Sequence, residues 1–131
     1  MKKNVYVGLF LVTLATICFE IILTRIFSVT MWYHFAFVAI SVAMLGITVG
    51  AIAVYLVPDR FTEEKAGRQM ALSALCFSWA VIFSFLTQMS IPFVPEASIV
   101  GVYSMALTYV VIAVPFVFSG ICVCLALTKF P

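Results

Sequence analysis

Two ionisable residues stand inside a long apolar run, in the segment Glu20-Ile21-Ile22-Leu23-Thr24-Arg25. Near the centre of a bilayer, each would cost about 2.5–3.5 kcal/mol on insertion scales. In a helix that starts near Val5, Glu20 lies about four residues short of the far end of a ~20-residue span. Arg25 falls at that boundary, where a long side chain can lead its charge out to water. Glu20 is therefore the more demanding residue. Positions i and i+5 on a helix are about 140° apart, so Glu20 and Arg25 do not face each other as an i,i+4 pair does. Glu20 needs a partner from another element, or a proton. His34, the sole histidine, returns at about the depth of Arg25 after a short turn. Thr24, Thr87, Gln88 and Ser90 fall at a similar level. The expectation is an outer-leaflet polar cluster centred on Glu20, Thr24, Arg25 and His34. Such a cluster serves a substrate, a proton or a partner, or it is a hydrogen-bonded clip between the first two helices.

Other chemistry is thin. His34, flanked by Trp32, Phe35 and Phe37, would suit a single axial ligand to a chlorin pigment, but aromatic neighbours in membrane helices commonly meet lipid. A bis-histidine haem needs a second histidine. Cys122 and Cys124 are about 200° apart on a helix, so one metal cannot use both. With Cys18 and Cys76 they sit in apolar runs and read as small packing residues. No glycine-rich phosphate loop, zinc-type constellation or nucleophile elbow is present. No cofactor, metal site or catalytic set is expected on this chain.

The elements that position these residues follow from composition. The chain has 131 residues, 66% hydrophobic and 9% charged, with mean hydropathy +1.26. Soluble domains carry about 25% charged residues. The apolar residues form four runs, at about 5–29, 31–57, 70–91 and 98–128, each long enough to cross a ~30 Å hydrocarbon core. The expected fold is all-α: one membrane domain of four transmembrane helices spanning 1–131. The net charge of +2 is too weak for nucleic-acid binding.

The Met1-Lys2-Lys3 start followed by an apolar run mimics a signal peptide. The run is too long and lacks a small-residue cleavage site, so a retained helix is expected. Pro58 stops the second run. Thr62 ahead of Glu63 and Glu64 suits a helix start. Pro92 and Pro95 bracket a short turn holding Glu96. The fourth run is about 45 Å long if fully helical, and Pro115 near its middle predicts a kink.

Lys2, Lys3, Arg60, Lys65, Arg68 and Lys129 fall on one side of alternating helices. The positive-inside rule puts that side, and both termini, in the cytoplasm. Trp32 and Tyr33 fall at the opposite interface. A bacterial inner membrane suits this pattern.

Ala36, Ala39, Ala43, Gly46, Gly50 and Ala53 recur at steps of three and four, and Gly46 to Gly50 is a GxxxG sequence. Small residues let a second backbone approach closely. That stripe marks the second helix as the expected centre of the bundle. The third helix carries little of note.

Several stretches taken together resemble the membrane portion of bacterial multi-pass proteins described as spermidine synthase-like. Glu20-Ile21-Ile22-Leu23-Thr24-Arg25 resembles their first helix. Tyr33-His34-Phe35-Ala36-Phe37 with Ile40-Ser41-Val42-Ala43-Met44-Leu45-Gly46 is similar to their second. Pro115-Phe116-Val117-Phe118-Ser119-Gly120 with Leu125-Ala126-Leu127-Thr128 is similar to their fourth. The likeness covers most of the chain. Members of that family usually continue into further helices and a Rossmann-like aminopropyltransferase or methyltransferase domain. These residues hold neither a nucleotide loop nor an acidic polyamine-binding pair. The resemblance implies a membrane front end of a longer or split protein, with Glu20, Thr24, Arg25 and His34 as motif positions of no assigned role.

The function expected from these readings is a non-catalytic membrane subunit or module. It packs against other transmembrane helices in a larger assembly, with lipid around it. Alternatives are a transporter or small-molecule-binding protein using Glu20, Arg25 and the Pro115 break, and a membrane anchor for a spermidine synthase-like enzyme encoded downstream.

Overall fold

A computed structural model describes residues 2–30, 34–58, 60–91 and 99–129. They form four helices: α1 (Lys2–Thr30), α2 (His34–Leu56), α3 (Glu63–Ser90) and α4 (Ile99–Lys129). Each is long and apolar enough to cross a membrane. The chain is a four-helix, all-α, multi-pass membrane protein.

Helix is what this sequence must form in lipid, because every backbone polar group has to be satisfied within its own segment. The hydroxyls follow the same rule. Thr13, Ser28, Thr30, Ser41, Thr48, Thr87, Ser90 and Thr128 each donate to the carbonyl four residues back. Polar side chains thereby sit in apolar helices without partners from elsewhere.

Three boundaries sharpen the sequence reading. α1 begins at Lys2 rather than near Val5. α3 begins at Glu63, well before Met70, so the hydrophilic segment is half helix. Thr62 is its N-cap, extended at φ −67° and ψ 151°; its side chain makes no capping hydrogen bond, and its carbonyl accepts from the Lys65 N–H at 3.0 Å. A hydropathy window finds the apolar part of a helix, whereas the exposed, charged Glu64 and Arg68 belong to α3 but lie before that part. α4 runs unbroken through Pro115 as one helix. Trp32, Tyr33, Pro92, Pro95 and Glu96 lie outside the described residues.

The centre of the bundle is α4, not α2. α4 packs against all three other helices, while α2 and α3 do not touch. Within its most apolar window 44% of α4 is buried, against 28% for α2, so α4 is covered on several sides and α2 on few. The small-residue stripe does pack as expected: Ala39, Ala43, Gly46 and Gly50 are buried, and Ala36 and Ala53 are half-buried at its ends. Its partner is α4. A Cβ on Gly46 would stand 2.6 Å from Phe116 Cβ and 2.9 Å from the Ala113 carbonyl oxygen. A Cβ on Gly50 would overlap the Val117 carbonyl oxygen, and one on Gly120 would overlap the Ile47 carbonyl oxygen. Glycines on both helices thus bring two backbones into contact. Residue numbers rise together across this seam, so α2 and α4 run parallel.

Two core clusters flank α4. Phe19, Leu23 and Phe27 of α1 meet Ala39 and Ala43 of α2 and Ile112 and Phe116 of α4. The Phe19 and Phe116 rings are 5.6 Å apart and tilted by 34°. Nearer the chain ends, Val12 meets Met70, Phe77, Cys122 and Ala126.

Thr16 and Ser119 join α1 to α4 through hydroxyls 2.7 Å apart, and Thr16 also donates to the Val12 carbonyl. Such interhelical bonds average about 0.6 kcal/mol in membranes. A double-mutant cycle of Thr16→Val with Ser119→Ala is expected to give a coupling energy near ~0.6 kcal/mol in detergent unfolding. Strict additivity of the two variants would show that the bond contributes nothing.

Cys122 Sγ lies 4.0 Å from the Met70 carbonyl on α3, and Cys124 Sγ 3.9 Å from the Ala51 carbonyl on α2. The two thiols point to different helices, as their spacing requires. Cys18 and Cys76 differ from the expectation of packing residues, because both lie on exposed faces.

Candidate intramembrane polar site

Glu20 is half-buried on α1, one helical turn beyond Thr16. No hydrogen bond or ion pair joins it to another described residue. The cause is positional. Phe19 and Leu23, its neighbours on the same side of the helix, fill the α2–α4 core and are 4% and 1% exposed. Glu20 stands at the edge of that core, between packed aromatics and the outward face of α1.

The other expected site residues are placed as follows. Thr24 is half-buried and spends its hydroxyl on the Ile21 carbonyl at 2.8 Å. Arg25 is exposed, and no ion pair to Glu20 forms. His34 opens α2 and is exposed.

A second set of polar groups shares only Gln88 with the sequence reading. Ser84 Oγ, Gln88 Oε1 and Tyr109 Oη are buried without a hydrogen-bond partner among the described residues. Ser84 and Gln88 share one face of α3 at i,i+4 spacing. The i,i+4 pair was a usable signal, so α3 carries more than the sequence reading allowed it. Tyr109 lies edge-on to Phe27 at 6.4 Å and 86°, which ties it to α1.

The register of α1 against α3 orders these groups along α1 from Glu20 outward. The helices run parallel: Asn4 and Gly8 share a cleft with Gly67 and Met70, and Ala15 shares one with Val81 and Ile82. The same offset carries Glu20 level with Ser84 to Leu86, and Thr24 level with Gln88. Glu20, Ser84 and Gln88 therefore follow one another toward one end of the bundle, and Tyr109, which meets Phe27 about two turns beyond Glu20, lies nearer that end still.

Hydrocarbon cannot satisfy such groups. A buried polar atom left unpaired costs about 1–3 kcal/mol. The arrangement can accept hydrogen bonds or a cation through Glu20, and can donate through Ser84 and Tyr109. Three cavities among the described residues lie elsewhere. One, of about 550 Å³, is lined at the other end by Tyr55, Pro58, Phe61, Thr128 and Lys129. Clefts of about 230 and 330 Å³ lie between α1 and α3. None of these three is lined by Glu20, Arg25 or His34.

No family model, curated protein or solved structure matches this chain, so its four apolar helices and this polar end are what a functional reading starts from.

Proposed function

We propose that the chain is a non-catalytic multi-pass membrane module whose Glu20 is completed by a helix outside these residues. The observation that supports this is a half-buried glutamate within an apolar helix, with no hydrogen bond or ion pair to another described residue. A charge in that position is held against an insertion cost of up to about 2.5–3.5 kcal/mol, the value at the bilayer centre. Intramembrane ionisable residues pair with one another or line water, and Glu20 lines none of the cavities described. A donor on a neighbouring subunit, or on a further part of the same protein, supplies the pair.

The reading extends to place. The basic residues at the Lys3, Arg68 and Lys129 end support a cytoplasmic position for that end, and a bacterial inner membrane suits the chain. The spermidine synthase-like resemblance agrees with a front-end module that docks onto further helices.

A second reading has its own support. Ser84, Gln88 and Tyr109 are buried and without partners, which suits a small polar ligand held between α3 and α4. The two readings separate on isolation in a gentle detergent. Assembly predicts a complex of larger mass that dissociates on Glu20→Leu substitution. A ligand site predicts a monomer, which would defeat the assembly reading.

A further inference from the structure

Glu20 and Arg25 stand five residues apart on α1, and neither makes a hydrogen bond or ion pair to another described residue. Within one helix that spacing turns the two side chains about 140° apart. Between two parallel helices it brings them together. In a parallel two-stranded coiled coil, interhelical salt bridges join a g position to the e position of the next heptad on the partner, five residues on. With Glu20 at g, Arg25 falls at e.

That assignment fixes the seam between the two charges. Its a and d positions are Phe10, Leu14, Ile17, Ile21, Thr24 and Ser28, at alternating steps of four and three. The structure leaves this row uncovered. Phe10, Leu14, Ile17 and Ile21 are 46–63% exposed, Ser28 is exposed and Thr24 half-buried. The residues that α1 gives to the core, among them Thr16, Phe19, Leu23 and Phe27, occupy another face. From Phe10 to Ser28 the helix rises about 27 Å, close to the ~30 Å hydrocarbon thickness. The row is long enough to take a whole transmembrane helix. Small hydroxyl residues at its outer end are common where membrane helices meet.

An exposed apolar row does not by itself name a partner. α3 bears one as regular, Leu72, Leu75, Trp79, Ile82, Leu86 and Met89, and no charged residue flanks it. Lipid satisfies that row. It does not satisfy the row on α1, where an acid and a base stand on opposite flanks.

Depth and direction fit as well. Arg25 lies about 7.5 Å further along the axis than Glu20. Helix side chains lean back toward the N-terminus, which returns the guanidinium toward the level of a facing Glu20. Two copies in one membrane share an orientation, so their α1 helices run parallel, as the pairing requires. A two-fold axis then makes the same contact twice and closes the assembly. We propose that two copies of the chain pair through α1, with Glu20 of each bonded to Arg25 of the partner subunit. The proposal rests on the reading that Glu20 is completed from outside the four helices, and names a second copy as what completes it.

The test uses the purified chain in a mild detergent, with the particle mass read by native mass spectrometry. The expected result is a dimer with no other protein present. Glu20→Arg alone and Arg25→Glu alone each set like charges together, and each is expected to weaken the dimer about a hundredfold or more. The two together exchange the charges and are expected to restore it. Cross-linking gives a readout that alters no charge and decides the matter where a reversal variant does not fold. In a Cys18→Ser, Cys76→Ser background, Ile17→Cys is expected to form a disulfide between copies, and Ile82→Cys on the α3 row is not. A dimer insensitive to both single reversals, or one that cross-links through Ile82→Cys, overturns the proposal. A purified chain that runs as a monomer overturns it too. If that monomer leaves its native membrane in a complex with a different chain, lost on Glu20→Leu, Glu20 is completed by that chain and only the second copy is excluded. A monomer in both settings removes both.

Discussion

Gly50→Ala is expected to lower the stability of the detergent-solubilised chain by about 1–3 kcal/mol, the usual range for overpacking a close contact. One methyl group suffices, because the Cβ would overlap the Val117 carbonyl oxygen and stand 2.9 Å from the Ile121 nitrogen. Backbone atoms cannot rotate away as a side chain can, so α2 must shift bodily off α4. That shift would loosen Gly46 and Ile47 from Ala113, Phe116 and Gly120 at the same time. Thermal unfolding followed by circular dichroism checks it. Gly67→Ala is the matched control, with nothing within 4 Å of its new Cβ, and is expected to stabilise by about 0.5–1 kcal/mol through helix propensity alone. Opposite signs at two helix glycines separate contact from propensity. Equal effects would show that α2 and α4 are not held by backbone approach.

The second large effect is at Glu20, and it has two parts of opposite sign. Glu20→Leu removes a carboxyl that no described residue satisfies. The isolated chain is therefore expected to gain up to about 2.5–3.5 kcal/mol, the insertion cost of the charge. Association with its partner helix is expected to fall by about a hundredfold or more, because truncating one member of a buried charge pair costs 2–5 kcal/mol. Glu20→Gln keeps the hydrogen-bonding shape and loses the charge, so it should fall between the two. A purely structural clip predicts the reverse for stability: loss of Glu20 would weaken the chain itself. Measuring unfolding of the isolated chain and the yield of complex on the same variants distinguishes these cases.

Much of the fold was legible in the sequence because lipid imposes simple rules. Four apolar runs became four helices, since a membrane admits little else. The α2 stripe was legible because glycine and alanine at steps of three and four have one use in such a helix. The centre of the bundle was not legible. A regular stripe such as that of α2 marks one adhesive face, whereas a central helix is buried on several. In α4 the buried residues include Thr108, Ile112, Phe116, Ser119, Gly120, Cys122, Leu125 and Ala126. With Pro115 they form a stripe at steps of four and three (Thr108, Ile112, Pro115, Ser119, Cys122, Ala126), widened by Phe116, Gly120 and Leu125, but its mixture of large, small and polar residues does not stand out in an apolar helix.

The polar end was partly legible for a related reason. Glu20 announces itself, because a carboxylate in an apolar run has a known cost. Ser84 and Tyr109 do not, since lone hydroxyls are common in membrane helices and usually bond their own backbone. Only the packing of α3 and α4 shows that these two, with Gln88, are buried and unsatisfied. The parallel run of α1 and α3 was legible from the alternation of four spans, and with it the level of Gln88; the inward rotation of Ser84 and Tyr109 was not, because it is set by packing against α4.

The central claim is that Glu20 is completed from outside these four helices. Its most direct test is to isolate the protein from its native membrane in a gentle detergent, as wild type and as Glu20→Leu, and to compare the mass of the particle each forms. The expected result is a wild-type complex larger than the chain alone, lost in Glu20→Leu, which then runs as a folded and more heat-resistant monomer. A wild-type chain that already runs as a monomer, or a complex that survives Glu20→Leu unchanged, would contradict it.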